Sequence, residues 1–243
     1  MIRLNIKVGD KKMKQDKTLI EGIPAIIYGI KSDKIYLFVH GQGGNKEEAE
    51  SFAEIVSEKG WQVLSIDLPE HGERKNEIDH FYPWIAVPEL QKILIYMESR
   101  WKKIALRATS IGAWYSILAF QDKSIIRSLF ISPILDMEHL IDNMMQWAGV
   151  TKEELEAKKI IPTVFGQTLS WEYLLYAKQH PIMKWDSETK VLYGSKDNLT
   201  ERYVVDKFVK RFHCSLTVME NGEHWFHTDN QLMVLNRWEQ QNG

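Results

Sequence analysis

Uninterrupted apolar runs alternate with amphipathic stretches along most of this chain, and that alternation narrows the fold more than any other feature. Ile35-Tyr36-Leu37-Phe38-Val39 is apolar at every position, the pattern of a strand covered on both faces. Trp61 to Leu68, Lys103 to Leu106, Ile125 to Ile134, Lys190 to Gly194 and Ser215 to Met219 read as further strands. Between them stand helical patterns. Ala49, Phe52, Ala53 and Val56 recur at helical spacing behind the N-cap Asn45 and stop at Gly60. Leu90, Ile93, Leu94 and Met97 share one face of a helix expected to begin at about Pro88. Val205, Phe208, Val209 and Phe212 mark another, and Leu232, Val234, Leu235 and Trp238 the last. Parallel strands cannot be joined by a tight hairpin, so each needs a crossover. The order therefore predicts an α/β fold: a mostly parallel central sheet with helices on both faces. Leu4 to Val8 and Ile23 to Ile30 predict two earlier strands, joined through a lysine-rich turn at Asp10 to Lys17.

The rhythm breaks once. Residues 1–135 and 186–243 form the expected core, and residues 136–185 an expected all-helical insertion. Met137, Leu140, Ile141 and Met144 predict one helix ending near Gly149, Thr151-Lys152-Glu153-Glu154 is a capping box opening a second, and Trp171, Leu174 and Leu175 follow Ser170 in a third. Both ends of the insertion emerge at the carboxyl edge of the sheet, so it is expected to cover that edge as a lid. It is rich in Met144, Met145, Trp147, Trp171, Tyr173 and Tyr176, which either glue it to the body or also line a pocket.

Charge and composition exclude several classes of partner. With 243 residues and a 44% hydrophobic fraction there is material for one large core, and the net charge of -2 offers no basic field for nucleic acid or a membrane surface. Met1 to Lys7 alternates like a strand rather than a signal peptide, and no run approaches the roughly 18 apolar residues of a membrane span. Cys214 is the single cysteine, so no internal disulfide and no thiolate metal site is expected. The expected address is cytoplasmic, and a homo-oligomer is left open.

The sharpest local feature is Arg107-Ala108-Thr109-Ser110-Ile111-Gly112-Ala113, where the strand pattern gives way to a helix carrying Ala113, Trp114, Ile117 and Leu118. A turn this tight brings backbone segments close, so the residues two before and two after the serine must be small, and they are Ala108 and Gly112. This is the G-x-S-x-G elbow with Ala in the first place. The helix N-terminus directs free N–H groups and its positive dipole end toward Ser110. A serine that merely caps a helix satisfies the same pattern, so the other loops must decide. Three are informative: Gly41-Gln42-Gly43-Gly44, Ser195 to Asn198 and Asn221 to Phe226, each after a strand and thus on the same sheet edge. A serine needs a base within hydrogen-bond reach, and the base a carboxylate to hold its tautomer; His224 and Asp197 can supply them.

Elbow, glycine loop and the chain order Ser110, Asp197, His224 together resemble the α/β-hydrolase fold, bacterial esterase and peptidase-like branch, over essentially the whole chain. The resemblance implies Ser110 as nucleophile, His224 as general base and later acid, Asp197 as its partner, and the backbone N–H groups of Gln42 and Ile111 as an oxyanion hole. His227 is the other candidate base and Asp136 the other candidate acid. His40 is expected to brace the glycine loop, and His71 to be structural or exposed. Met144, Met145, Trp147 and Trp225 are the substrate-binding candidates. No cofactor and no metal is implied. Arg107 departs from the apolar residue usual near the end of an elbow strand, so a buried ion pair is expected. The implied reaction is hydrolysis of a small-molecule carboxylic ester through an acyl-enzyme. The alternatives are a peptidase, amidase or thioesterase with the same triad, and a ligand-binding module without catalysis.

Overall fold

The computed structural model describes residues 13–243, so the strand expected at Leu4 to Val8 lies outside the described residues. The strands in chain order are β1 (Gln15–Ile20), β2 (Ile23–Tyr28), β3 (Lys34–Val39), β4 (Gln62–Ile66), β5 (Lys103–Thr109), β6 (Arg127–Ile131), β7 (Ile160–Pro162), β8 (Thr168–Ser170), β9 (Glu188–Gly194) and β10 (Ser215–Met219). The helices are α1 (Glu50–Ser57), α2 (Pro83–Glu98), α3 (Ile111–Phe120), α4 (Met137–Ala148), α5 (Lys152–Lys158), α6 (Trp171–Gln179), α7 (Arg202–Arg211) and α8 (Asp229–Asn242). Eight strands make one sheet in the order β1-β2-β4-β3-β5-β6-β9-β10. β2 pairs antiparallel with both neighbours, and every other pairing is parallel, as the crossovers require.

Strand side chains alternate between two cores. On β3, Ile35, Leu37 and Val39 join the larger core with α2, α3 and α7, whereas Tyr36 and Phe38 face α1 and α8. All five are at most 1% exposed, which explains why the run carries no polar residue. Among the described residues no helix is long and apolar enough to cross a membrane.

Three expectations need correction. β1 begins inside the segment expected to be a turn. It is a sheet-edge strand whose outward positions are Asp16, Lys17 and Leu19, so charge hides its alternation. α2 begins at Pro83, with Pro88 inside it: Pro83 supplies the fixed φ of the first helical position, and Pro88 is carried within the second turn. The insertion is not all helical, because Ile160–Pro162 pairs antiparallel with Thr168–Ser170 around a turn at Gly166. Strands of three residues are too short to show a period of two.

Arg107 finds its partner on the α1 and α8 side. Its Nη2 lies 2.9 Å from Glu239 Oε1, its Nε donates to the same oxygen at 2.9 Å, and its guanidinium stacks 4.3 Å from the Phe38 ring. Burial pushes the Glu239 carboxyl above its ordinary range, and Arg107 offsets this only in part. The ionised pair is thus held at a desolvation cost. Glu239→Ala, which strands the arginine, should lower the unfolding free energy by about 3–5 kcal/mol, whereas converting both to Met should be near neutral. Urea unfolding of the two variants checks this; equal losses would contradict it.

Candidate active site

Ser110 stands between β5 and α3 with φ 52° and ψ -123°, a backbone state that a non-glycine residue adopts only when its surroundings enforce it. They do. Its N–H donates to Ile131 O at 3.0 Å, and its carbonyl accepts from Ala113 N at 3.1 Å and Ile134 N at 3.2 Å. A Cβ on Gly112 would sit 2.2 Å from His40 O, so the smallness read from the sequence is a steric requirement of the β3 loop crossing the elbow. That loop lies against the serine: a Cβ on Gly41 would be 3.3 Å from Ser110 Cβ.

The loops after β9 and β10 are brought together by a second close approach. A Cβ on Gly194 would fall 2.5 Å from the Gly222 carbonyl, and Lys196 N donates to Gly222 O at 2.8 Å. The Asp197 side chain is thereby buried against His224. Its Oδ1 accepts from Leu199 N and Thr200 N, each at 2.9 Å, which leaves Oδ2 facing His224 Nδ1 at 2.7 Å. His224 Nε2 lies 2.8 Å from Ser110 Oγ. A carboxylate on Nδ1 selects the tautomer with the proton there, so Nε2 is free to accept from the hydroxyl. Ser110, His224 and Asp197 therefore meet in one hydrogen-bonded chain, referred to below as the relay. The two rival residues do not join it: His227 Nδ1 bonds Trp225 O at 2.7 Å, and Asp136 caps α4 by accepting from His139 N.

Gln42 and Ile111 line the same cavity as Ser110. Ile111 is the first residue of α3, so its N–H has no intrahelical acceptor. Among the described residues Gln42 N–H has no acceptor either. Just after the glycine loop, Lys46 is buried and bonded to Asp67 at 2.7 Å and Glu73 at 2.8 Å. Burial alone would lower the Lys46 pKa, but these carboxylates outweigh it and the net shift is upward.

A cavity of about 810 Å³ opens at Ser110. Much of its lining is apolar, from Ile134, Met137, Leu140, Ile141 and Met144 together with Ile160, Pro162 and Leu169 of the β7–β8 hairpin, and Glu70, Tyr82 and Tyr173 add polar groups. The Tyr173 and Tyr115 hydroxyls bond at 3.0 Å, and burial raises both phenol pKa values, so they stay neutral. Of the four binding candidates only Met144 lines this cavity. Met145 turns into the core at 4% exposure, while Trp147 and Trp225 are 51% and 74% exposed, one against Phe165 and the other stacked on His227. Met144 continues the stripe Met137, Leu140, Ile141 at helical spacing, whereas Met145 points one position around the helix and Trp147 lies a turn beyond the cavity. Glu70, Phe81 and Tyr82 were not expected in the wall. They sit on the connection from β4 to α2, which has no periodicity, and Glu70 Oε1 orders it by accepting from His80 N and Phe81 N. Among the described residues no three His, Cys, Asp or Glu side chains cluster in a way that could hold a metal ion.

Strand order, strained serine elbow and the convergence of three sheet-edge loops define the class: the chain has the α/β-hydrolase fold. Its neighbours among solved structures include Est1E from Butyrivibrio proteoclasticus, seen with ferulic acid bound, at 17% identity and TM-score 0.72 over 93% of this chain and 96% of that one. A putative hydrolase from Agrobacterium vitis matches at 13% identity and TM-score 0.75, covering 93% and 97%. The esterase Pf2001 of Pyrococcus furiosus matches at 17% identity and TM-score 0.64, covering 95% and 90%. No family model matches the chain. Lipid droplet hydrolase 1 of Saccharomyces cerevisiae is 36% identical over 67 residues, a stretch that is 28% of this chain and 17% of the yeast protein.

Proposed function

We propose that the chain is a serine hydrolase that cleaves carboxylic esters through an acyl-enzyme on Ser110. The observation that carries this is the hydrogen-bonded chain of Asp197, His224 and Ser110 at 2.7 and 2.8 Å, opening onto a cavity that Gln42 and Ile111 also line, whose backbone N–H groups have no acceptor among the described residues. His224 Nε2 takes the hydroxyl proton as Ser110 Oγ bonds the ester carbonyl carbon, and the oxygen that becomes negative is held by Gln42 N–H and Ile111 N–H. The imidazolium then gives its proton to the departing alcohol. A water, deprotonated by the same nitrogen, releases the acid and restores Ser110. The esterase Pf2001 among the structural neighbours supports an ester over an amide. A cytoplasmic address accompanies the proposal, in keeping with the free thiol of Cys214.

Residues 136–185 act here as a cover, since α4 and the β7–β8 hairpin supply much of the cavity's lining. The apolar α4 wall receives the acyl chain. Met144→Ala should lower kcat/KM for medium-chain p-nitrophenyl esters by about 1–3 kcal/mol while sparing acetate esters. Met145→Ala, in the core, should cost about 2–5 kcal/mol of stability and leave chain-length preference unchanged. A panel of p-nitrophenyl esters from acetate upward, run beside aminoacyl and peptide substrates, tests both the ester reading and the wall. Turnover confined to the peptides would overturn the first; a Met144→Ala loss equal at all chain lengths would overturn the second.

A further inference from the structure

Two histidines that take no part in the relay grip the backbone on either side of Gln42. The Gly41–Gln42 peptide is held at its oxygen, which lies 2.7 Å from His40 Nδ1 and accepts from Gly44 N at 3.2 Å. In a trans peptide the oxygen and the amide hydrogen point to opposite sides. Pinning that oxygen on His40 therefore turns Gln42 N–H away from it. Burial pushes His40 down to about 4, so it is neutral near pH 7, with Nε2 accepting from Leu68 N at 3.0 Å.

The next peptide is held at its other end. Gly43 N–H donates to His71 Nε2 at 2.9 Å, and His71 Nδ1 lies 2.7 Å from Pro69 O, which places the ring proton on Nδ1 and a lone pair toward Gly43. His71 is 9% exposed and packed between His40, with centroids 5.1 Å apart, and Phe81 at 4.5 Å, so its ring is fixed. Fixing only one of these peptides leaves Gln42 free to rotate about its own φ and ψ. Fixing both leaves it none.

We propose that His71 is a positioning residue for the oxyanion site: through Gly43 N–H it completes the clamp that aims Gln42 N–H at the oxygen developing charge. The proposal rests on the ester hydrolysis advanced above. An oxyanion donor misplaced by about 1 Å costs on the order of a hundredfold in rate, because its bond is strongest only in the transition state.

His71→Gln and His71→Asn separate this role from simple packing. Gln carries an acceptor to the place of Nε2 and can still receive the Gly43 N–H; Asn carries its amide to the place of Nδ1, keeping the Pro69 contact and losing Gly43. With thermal unfolding recorded for both, His71→Asn should lower kcat on a p-nitrophenyl ester by about a hundredfold with KM little changed, and weaken a trifluoromethyl ketone, which forms an oxyanion on the enzyme, in parallel. His71→Gln should recover most of that loss. Equal losses in the two variants, a loss seen in KM alone, or activity that follows only the unfolding temperature would overturn the positioning role while leaving ester hydrolysis standing. A wild-type chain that turns over no ester and binds no such ketone would overturn ester hydrolysis, and this role with it.

Discussion

Ser110→Ala is expected to lower kcat on any ester the wild type accepts by about six orders of magnitude, with the fold unchanged. The loss is that large because the alanine removes the atom that forms the covalent intermediate, and what is left is binding and the two N–H donors. The fold should survive because the strained backbone at φ 52° is enforced by the hydrogen bonds to Ile131, Ala113 and Ile134, none of which uses the serine hydroxyl. Circular dichroism and unfolding temperature alongside the kinetics separate the two. Activity within tenfold of wild type would place the chemistry on another residue and leave Ser110 without a catalytic role.

His224→Ala should cost about as much as Ser110→Ala, since the members of such a relay act as a unit and the hydroxyl is a poor nucleophile without its base. Asp197→Asn should cost about four orders of magnitude. Asn has a single amide oxygen, which cannot both accept the Nδ1 proton and receive the Leu199 and Thr200 N–H bonds that the two carboxylate oxygens divide between them, so either the imidazole tautomer or the loop is disturbed. His227→Ala should do little, because its ring lies outside the relay, bonded to Trp225 O. Steady-state kinetics of the three variants on one ester checks the ordering. If His227→Ala proves as damaging as His224→Ala, the base is wrongly assigned.

The sheet and the elbow could be read from the sequence because burial on both faces writes continuous apolar runs, and close backbone contact demands small residues. Ile35 to Val39 shows the first, and Ala108 and Gly112 the second. The residues now in the relay were legible for a different reason: each follows a strand, and strand ends of a parallel sheet share one edge. What the sequence hid was shape within that edge. Met144 and Met145 are chemically identical neighbours, and only the rotation of α4 sends one to the cavity and the other to the core. Trp147 and Trp225 look like pocket residues by type, yet both face outward. His71 gave no signal beyond standing before Gly72, since its role depends on a loop 28 residues earlier in the chain. Arg107 was recognisable as a buried charge in need of a partner, but Glu239 lies 132 residues away on α8.

The central claim is the covalent step on Ser110, and rapid-quench kinetics joined to mass spectrometry tests it most directly. Mixing the enzyme with a p-nitrophenyl ester should release a burst of p-nitrophenol equal to the enzyme present, and acid quench within that burst should trap one acyl group on the peptide that contains Ser110. The burst and the adduct should both vanish in Ser110→Ala. A wild-type enzyme that hydrolyses the ester with no burst and no adduct, or with the acyl group on another residue, would contradict the account.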